Sequence, residues 1–435
     1  MRHGKIIAAL CAAALALAGM SSCGTPDDAK TPDPSNTGGA ATVSGELEIF
    51  SWWTAGSEAL GLQKLVDVLG KKYPDVKFVN NGASTGGGSA KDLLATRMAG
   101  GQPPDSFQVH AGAEAQDYIA AGQLQDVSSL YTEFGLNNVF PKDLVDMLTK
   151  DGKIYTIPSN VHRSNVIWAS VTSLQKAGLS TTDAYYDSID SFLDALAKAK
   201  AAGIETPLAV GSTWTQVHLF ETVLMADLTP DQYNGLFNGK TDWKGAEVKV
   251  ALDHFAKLMS YTNADRDSID WEPALDKVLA GTAVFTIMGD WVPAALDSHS
   301  LVDGTDYLWA PSPGTKGVYG FLADSYGLTT GGPNPAAAKA WLDVISSVEG
   351  QTQFNQVKGS IPARTDIDLS TFSKYQQAAS ASFKNDAIVP SIQHGAAATI
   401  AQGNAANAAI SKFTTSSMAD ANLTTLQTEL AAAFA

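Results

Sequence analysis

The segment spanning residues 46–54 constrains the fold of this chain more than any other part of the sequence. It carries a short apolar run around Leu47 and Ile49, and a helical pattern over residues 58–72 follows at once. A short apolar run indicates a strand, and apolar residues three and four apart indicate a helix. Because a strand that leads directly into a helix is the repeating unit of α/β folds, the sequence predicts an α/β architecture.

Two adjacent tryptophans, Trp52 and Trp53, follow this predicted strand. In open α/β sheets ligands bind beyond the carboxyl ends of the strands, so both rings are candidate ligand contacts. Their flat apolar faces suit the C–H faces of a sugar ring, and their indole N–H groups can bond a hydroxyl. The alternative is that both belong to the core. Neighbours on a strand point to opposite sides, however, and a single core rarely takes both.

The N-terminal residues 1–22 resemble a bacterial lipoprotein signal. Basic residues precede an apolar stretch, and Met20-Ser21-Ser22-Cys23 follows in the position of a lipobox. The resemblance implies cleavage before Cys23 and lipid on its thiol, which would anchor the chain on the extracellular face of the cytoplasmic membrane. An ordinary secretory peptide with a chance cysteine is the alternative. The other cysteine, Cys11, lies within the leader, so no disulfide is predicted.

Composition separates a tether from the folded part. Residues 23–44 are rich in Thr, Pro, Asp, Ser and Gly without periodicity, which predicts a flexible linker. About 390 residues remain, enough for two lobes with cores of their own. The leader holds two of the 29 basic residues and none of the 45 acidic ones, which leaves 27 basic against 45 acidic residues, a net charge of −18. That charge argues against nucleic acid or anionic lipid as the ligand.

Strand and helix patterns alternate in two regions, which predicts two α/β lobes with a chain that passes between them three times. The predicted passages lie at residues 157–162, at residues 311–315 and near Thr365. The corresponding lobes are an N-terminal one of residues 45–157 and 314–365 and a C-terminal one of residues 158–313 and 366–435. No apolar run long enough to span a membrane follows the leader.

Polar side chains cluster at the ends of other predicted strands. Gln108 and His110 lie two residues apart, hence on one face of a strand, and an amide and an imidazole can both donate to and accept from hydroxyls. Further candidates, in chain order, are Trp214, Asp324, Lys358 and His394. A carboxylate can accept from two vicinal hydroxyls, and a lysine supplies the complementary donor. Taken singly, each could instead be an ordinary structural or surface residue.

The motifs of the chain, taken together and in order, resemble a known family. They are Phe50-Ser51-Trp52-Trp53, Phe107-Gln108-Val109-His110, His162-Arg163-Ser164-Asn165, Trp214-Thr215-Gln216, Met288-Gly289-Asp290-Trp291, Trp309-Ala310-Pro311-Ser312 and Asp324-Ser325-Tyr326-Gly327. The chain is similar to the extracellular solute-binding proteins of ABC sugar importers, most closely to the glucose-binding ones, over residues 45–394. The resemblance implies a two-lobe periplasmic-binding-protein-like fold with three hinge crossings and a ligand cleft between the lobes.

The resemblance also implies a site and partners. The family's sugar contacts fall on Trp52, Trp53, Glu58, Gln108, His110, Trp214, Asp324, Lys358 and His394. The implied ligand is a monosaccharide, with glucose favoured and galactose, mannose or xylose as alternatives. The implied protein partners are the transmembrane permease subunits of an ABC importer. We expect a monomer without cofactor or metal that touches the membrane through its lipid anchor only.

Other functions share parts of this pattern. A lipid-anchored glycoside hydrolase needs two carboxylates that flank the scissile bond, and Asp324 is the one convincing crevice carboxylate. A metal-binding protein needs clustered ligands, and the six histidines beyond the leader show no close pair in the sequence. A sugar sensor that is not coupled to transport could share both fold and site, so this alternative stays open. The sequence thus predicts a binding protein rather than an enzyme.

Overall fold

The first strand and the first helix form where the sequence predicts them. Strand β1 spans Gly45–Phe50 and helix α1 spans Gly56–Lys72. Leu47 and Ile49 are fully buried, and Glu46 and Glu48, which alternate with them, point to the other face, as the geometry of a strand requires. β1 therefore carries one apolar face into the core.

The computed structural model describes residues 42–82 and 87–435. The predicted leader, the predicted lipidation site Cys23 and the tether up to residue 41 lie outside the described residues. The part from Val43 to Ala435 forms one compact unit. Within the described ranges, no helix combines the length and apolar character needed to cross a bilayer.

The remaining strands are short. In chain order they are β2 (Val76–Asn80), β3 (Ser106–His110), β4 (Thr149–Lys150), β5 (Lys153–Ile154), β6 (Thr156–Pro158), β7 (His162–Arg163), β8 (Val166–Ser170), β9 (Leu208–Ala209), β10 (Phe285–Ile287), β11 (Tyr307–Pro311), β12 (Val318–Leu322), β13 (Asp324–Leu328) and β14 (Ala387–Pro390).

Helices separate most of these strands. They are α2 (Gly87–Ala99), α3 (Ala113–Ala120), α4 (Ser128–Glu133), α5 (Lys142–Met147), α6 (Val171–Lys176), α7 (Ile189–Ala201), α8 (Thr213–Asp227), α9 (Pro230–Gly235), α10 (Ala246–Met259), α11 (Trp271–Leu279), α12 (Val292–Ser298), α13 (Pro335–Ser346), α14 (Val348–Lys358), α15 (Lys374–Asn385), α16 (Ile400–Thr414) and α17 (Asp420–Ala433).

The described strands form two main sheets, a small third sheet and the two-stranded pair β4-β5. The first sheet has the order β2-β1-β3-β13-β6, in which β1 is parallel to both neighbours and β13 is antiparallel to both of its own. The second sheet has the order β11-β8-β10-β9, and the third has the order β14-β12-β7. Helices α1 and α13 pack on the first sheet, and α11 packs on the second. The α/β class predicted from the sequence is therefore confirmed.

The chain passes twice between the first and the third sheet. β6 of the first sheet is followed by β7 of the third, and β12 of the third sheet is followed, after Ala323 alone, by β13 of the first. Ile361 forms an isolated antiparallel bridge with Val161, so the first and third passages run side by side. Passages that lie together in this way can act as one hinge.

The pairing of the strands favours a later position for the second passage between the lobes than the predicted residues 311–315. Ser312 N donates to Asn165 O at 3.0 Å, which keeps this segment beside β8 of the second sheet. Because β12 pairs with β14 and β7, the step into the first sheet falls at Ala323. The lobe boundaries stay predictions, and we propose moving the second boundary to Ala323.

Helix α8 lies at the centre of the second half of the chain. Every residue from 215 to 225 is buried, so the helix has no solvent face over three turns. It nevertheless carries two ionisable residues, His218 and Glu221, which are completely buried. Buried groups of this kind need partners, and theirs lie beside the cleft described next.

Candidate ligand-binding site

A cleft of about 1150 Å³ lies at the edge where β1 and β3 end and β13 begins. Because β13 runs antiparallel to β3, its first residue Asp324 sits opposite His110, the last residue of β3. The volume is slightly above the roughly 300–1,000 Å³ of typical small-molecule sites. The predicted contacts that line this cleft are Trp52, Trp53, Glu58, His110, Trp214, Asp324, Lys358 and His394.

Amide groups hold both carboxylate oxygens of Asp324. Gln108 Nε2 donates to Oδ1 at 2.7 Å, and Asn160 Nδ2 donates to Oδ2 at 3.0 Å. Asp324 N donates to Asn160 Oδ1 at 2.8 Å, and Ser51 Oγ donates to Gln108 Oε1 at 2.6 Å. A carboxylate has about four acceptor positions, so two remain for a ligand. Gln108 itself does not line the cleft, because its amide is buried behind Asp324 and donates to that carboxylate.

Two histidines flank the carboxylate of Asp324. His110 Nε2 lies 3.6 Å from Oδ1, and His162 Nε2 lies 3.5 Å from Oδ2. The opposite nitrogen of each ring contacts a buried carboxylate, Glu114 at 2.9 Å from His110 and Asp290 beside His162. Since a carboxylate accepts, each Nδ1 carries the proton and each Nε2 of a neutral ring is an acceptor. His162 Nε2 accepts from Asn160. His110 Nε2 is therefore the acceptor that the cleft offers beside Asp324.

Lys91 and Glu114 complete this wall, and the sequence analysis missed both. Lys91 Nζ lies 2.5 Å from Glu114 Oε2 and 5.5 Å from the centre of the Trp52 ring. Burial alone would raise the pKa of the Glu114 carboxyl, but Lys91 and His110 hold that pKa at about 2. Glu114 is four residues after His110, across the turn from β3 into α3, and this spacing is the one signal that could have revealed it.

The two adjacent tryptophans have different surroundings. Trp52 is partly exposed, and its ring centre lies 4.9 Å from that of His110. Trp53 is 1% exposed and packs against Phe354 at 5.0 Å and Tyr326 at 6.2 Å between ring centres. Trp53 is thus mainly a core residue that reaches the cleft with one edge. The two rings are therefore not both core residues, because Trp53 is fully buried and Trp52 is only partly buried.

Lys358 is buried beneath the cleft at the end of α14. Its Nζ donates to Glu58 Oε1 at 2.7 Å and lies about 5.5 Å from the ring centres of Trp53 and Trp291. An ammonium enclosed by aromatic faces and one carboxylate is held in place by cation–π and ionic attraction. Glu58 lines the cleft as well, beside this ammonium.

The opposite wall is aromatic. Trp214 Nε1 donates to Asp270 Oδ1 at 2.8 Å, which fixes the indole plane. Its ring centre lies 6.3 Å from that of Trp291 and 6.0 Å from that of His394. Trp291, which belongs to the motif Met288-Gly289-Asp290-Trp291, is 4% exposed and lines the cleft.

His394 connects the cleft to helix α8. Its Nε2 lies 3.2 Å from His218 Nδ1, and His218 Nε2 donates to Ser164 O at 3.0 Å. Burial lowers the pKa of His218 to about 4, and burial together with His218 keeps the pKa of His394 well below its ordinary range. The rings of His218 and His394 are therefore neutral at physiological pH.

Burial raises the pKa of Glu221 to about 7, although backbone N–H groups oppose the shift.

Comparisons with known proteins agree with this architecture. Residues 55–352 match the family described as bacterial extracellular solute-binding protein. An uncharacterized ABC transporter extracellular-binding protein of Pyrococcus horikoshii is 36% identical over 357 residues, 81% of this chain and 80% of that protein. A probable sugar-binding periplasmic protein of Mesorhizobium japonicum is 31% identical over 379 residues, 85% of this chain and 88% of that protein. A solved chitin oligosaccharide binding protein has a TM-score of 0.76 at 19% identity, over 90% of this chain and 99% of that one.

Fold and cleft together define a receptor for a small solute. This chain belongs to the family of bacterial extracellular solute-binding proteins. The family that the sequence suggested is confirmed, and so is the two-lobe fold with its cleft. Membership in a family of binding proteins also confirms the prediction that the chain is not an enzyme.

Proposed function

We propose that this protein is a lipid-anchored extracellular receptor that binds a monosaccharide, with glucose favoured, and delivers it to the transmembrane subunits of an ABC importer. The observation that carries the proposal is Asp324, a carboxylate oriented on both oxygens at the edge of a cleft with aromatic walls. The sugar-binding name of the Mesorhizobium japonicum relative and the resemblance to glucose-binding proteins support the sugar class.

The described groups match the surface of one pyranose ring. Trp52 and Trp214 offer flat apolar faces on opposite walls for the C–H faces of the sugar. Asp324 and His110 Nε2 offer acceptors to hydroxyl hydrogens, and Lys358 offers a donor to hydroxyl oxygens. The negative charge of Asp324 and the positive charge of Lys358 balance each other, which suits an uncharged polyol. Asp324 accepts hydrogen bonds and Lys358 donates them. Affinity then depends on orientation rather than on net charge.

Binding is coupled to closure of the lobes around the hinge. A sugar that bridges Asp324 on one side and Trp214 on the other favours the closed form by the contacts made only there. A micromolar Kd corresponds to a standard free energy of binding of about −8 kcal/mol, and this value already includes the cost of ordering the ligand and the hinge. The permease subunits recognise the closed shape, and ATP is hydrolysed by other subunits of the importer.

Isothermal titration of the purified protein with glucose, galactose, mannose, xylose, maltose and cellobiose tests the ligand. We expect micromolar or tighter binding of one monosaccharide, with glucose first, and much weaker binding of the disaccharides. Tight binding of a disaccharide alone would contradict the monosaccharide assignment. Deletion of the gene separates a transport receptor from a sensor. Uptake of labelled glucose should be lost if the protein is a transport receptor and unchanged if it is a sensor.

Membrane anchoring is tested by a pair of cysteine variants. Cys23→Ser removes the proposed lipidation site, whereas Cys11→Ser is a matched change within the leader. We expect labelled palmitate and membrane association to be lost in the first variant and kept in the second. Retention of label in Cys23→Ser would contradict the proposed anchor.

A further inference from the structure

Three potential metal ligands meet beside the cleft although they are far apart in the sequence. His218 and Glu221 lie one turn apart on α8, and His394 reaches them from the segment after β14. One nitrogen of each ring and one carboxylate oxygen all lie within 4.8 Å of one another. We propose that His218, Glu221 and His394 form a site for a divalent transition metal ion, with zinc as the best match.

The distances fit a tetrahedral ion. Bonds of about 2.05 Å at tetrahedral angles place two ligand nitrogens roughly 3.3 Å apart. His218 Nδ1 and His394 Nε2 are 3.2 Å apart. Glu221 Oε1 lies 3.9 Å from His218 Nδ1, and the ligand atoms of all three residues lie within 4.8 Å of one another. The Glu221 side chain would therefore move toward the two rings to complete the set. Two histidines and one glutamate form a zinc ligand set that leaves a fourth position open.

The ligands are already oriented by outer partners. His218 Nε2 donates to Ser164 O, so its Nδ1 has a lone pair available to an ion. Ser391 Oγ lies 2.8 and 3.0 Å from the two carboxylate oxygens of Glu221 and donates its one hydrogen to this carboxylate, and Ile392 N donates to Oε2 at 2.7 Å. Outer hydrogen bonds of this kind normally accompany metal ligands and fix their direction.

Glu221 also lacks a cationic partner. Its carboxylate is completely buried, and every group that donates to it is neutral. Over residues 42–82 and 87–435, the basic group within 4.0 Å of it is His218, and no lysine or arginine comes that close. A buried carboxylate is stabilised by pairing or by a metal ion. A cation between Glu221 and the two rings would supply the missing charge.

The proposed metal site shares His394 with the proposed sugar site. His394 lines the cleft, whereas His218 and Glu221 lie behind it. An ion that binds His394 Nε2 would fix the ring that lines the cleft, so zinc and sugar binding should be coupled, and each should change the other's affinity by the same factor. This coupling rests on the proposed sugar function, but binding of the ion itself does not.

Titration of the purified, EDTA-treated protein with zinc chloride tests the site. We expect one ion per chain with a micromolar or lower Kd, and at least tenfold weaker binding in His218→Ala and in Glu221→Gln. His254→Ala is the matched control, because His254 also lies near two carboxylates, those of Asp190 and Asp227. Unchanged affinity in this control is expected.

Absence of saturable zinc binding would overturn the proposal. Loss of zinc binding in His254→Ala, with binding unchanged in His218→Ala and Glu221→Gln, would overturn it as well. If the buried variants do not fold, anomalous scattering at the zinc edge from wild-type crystals locates the ion directly. Density between His218 and His394 would support the site, and density elsewhere would overturn it. Because this test needs no sugar, its failure is distinct from failure of the proposed transport function.

Discussion

Gln108 Nε2 lies 2.7 Å from Asp324 Oδ1, which joins a residue buried in β3 to one at the surface of the cleft. The two strands are adjacent and antiparallel, so the pairing register brings both side chains to the same edge of the sheet. The carboxylate is therefore oriented before any ligand arrives, which lowers the entropic cost of binding.

Gln108→Leu should weaken sugar binding although Gln108 does not line the cleft. The change leaves Asp324 Oδ1 without its donor, a loss of about 1–3 kcal/mol, or roughly 5- to 150-fold in Kd. Gln125→Leu is the matched control, because Gln125 donates to Thr329 O outside the cleft. Calorimetry on both variants checks the prediction. Equal affinities in Gln108→Leu and wild type would show that Asp324 needs no orientation.

The two neighbouring tryptophans should respond differently to truncation. Trp52→Ala removes a partly exposed ring, so sugar affinity should fall at least tenfold while thermal stability changes little. Trp53→Ala empties a core position and should lower the free energy of unfolding by about 3–5 kcal/mol. Trp309→Ala, at a partly exposed ring outside the cleft, is the control for affinity. Full sugar affinity in Trp52→Ala would exclude that ring from the site.

Glu114 should make stability depend on acidity. Its pKa is about 2 in the folded protein against an ordinary value of 4.5. Because the folded-state pKa is depressed, the stabilisation is fully present above about pH 4.5 and is lost as the pH falls toward 2. Its size is on the order of 3 kcal/mol. Urea unfolding of wild type and Glu114→Gln across this range should show a shallower pH dependence in the variant.

The control for this experiment is Glu133→Gln, which alters an exposed glutamate paired with Lys339 at 2.7 Å. Its pH dependence should match that of the wild type, since exposed pairs contribute little. Parallel stability curves for wild type and Glu114→Gln between pH 4.5 and pH 2 would contradict the assigned role of Lys91 and His110 around Glu114.

Local patterns predicted the parts of the fold that depend on neighbours in sequence. The apolar spacing over residues 58–72 predicted a helix, and α1 spans Gly56–Lys72. The rule that ligands bind at strand ends selected Trp52, His110 and Asp324, and all three line one cleft. Such features follow from period, capping and strand direction, which the sequence contains.

The remaining features depend on long-range packing that no local pattern encodes. His218 and His394 are 176 residues apart and meet only because α8 is buried beside the segment after β14. Trp53 belongs to the core because Phe354, on α14, covers it. We propose Ala323 for the second passage between sheets because β12 pairs with β14 and β7, and this pairing joins residues that are far apart in the sequence.

The assignment of this cleft as the sugar site is best tested by calorimetric titration of glucose into the wild-type protein and into Asp324→Ala. We expect micromolar or tighter binding in the wild type and at least tenfold weaker binding in the variant, with both proteins folded to the same melting profile. Glucose affinity that is unchanged in Asp324→Ala would contradict the claim that this cleft is the sugar site.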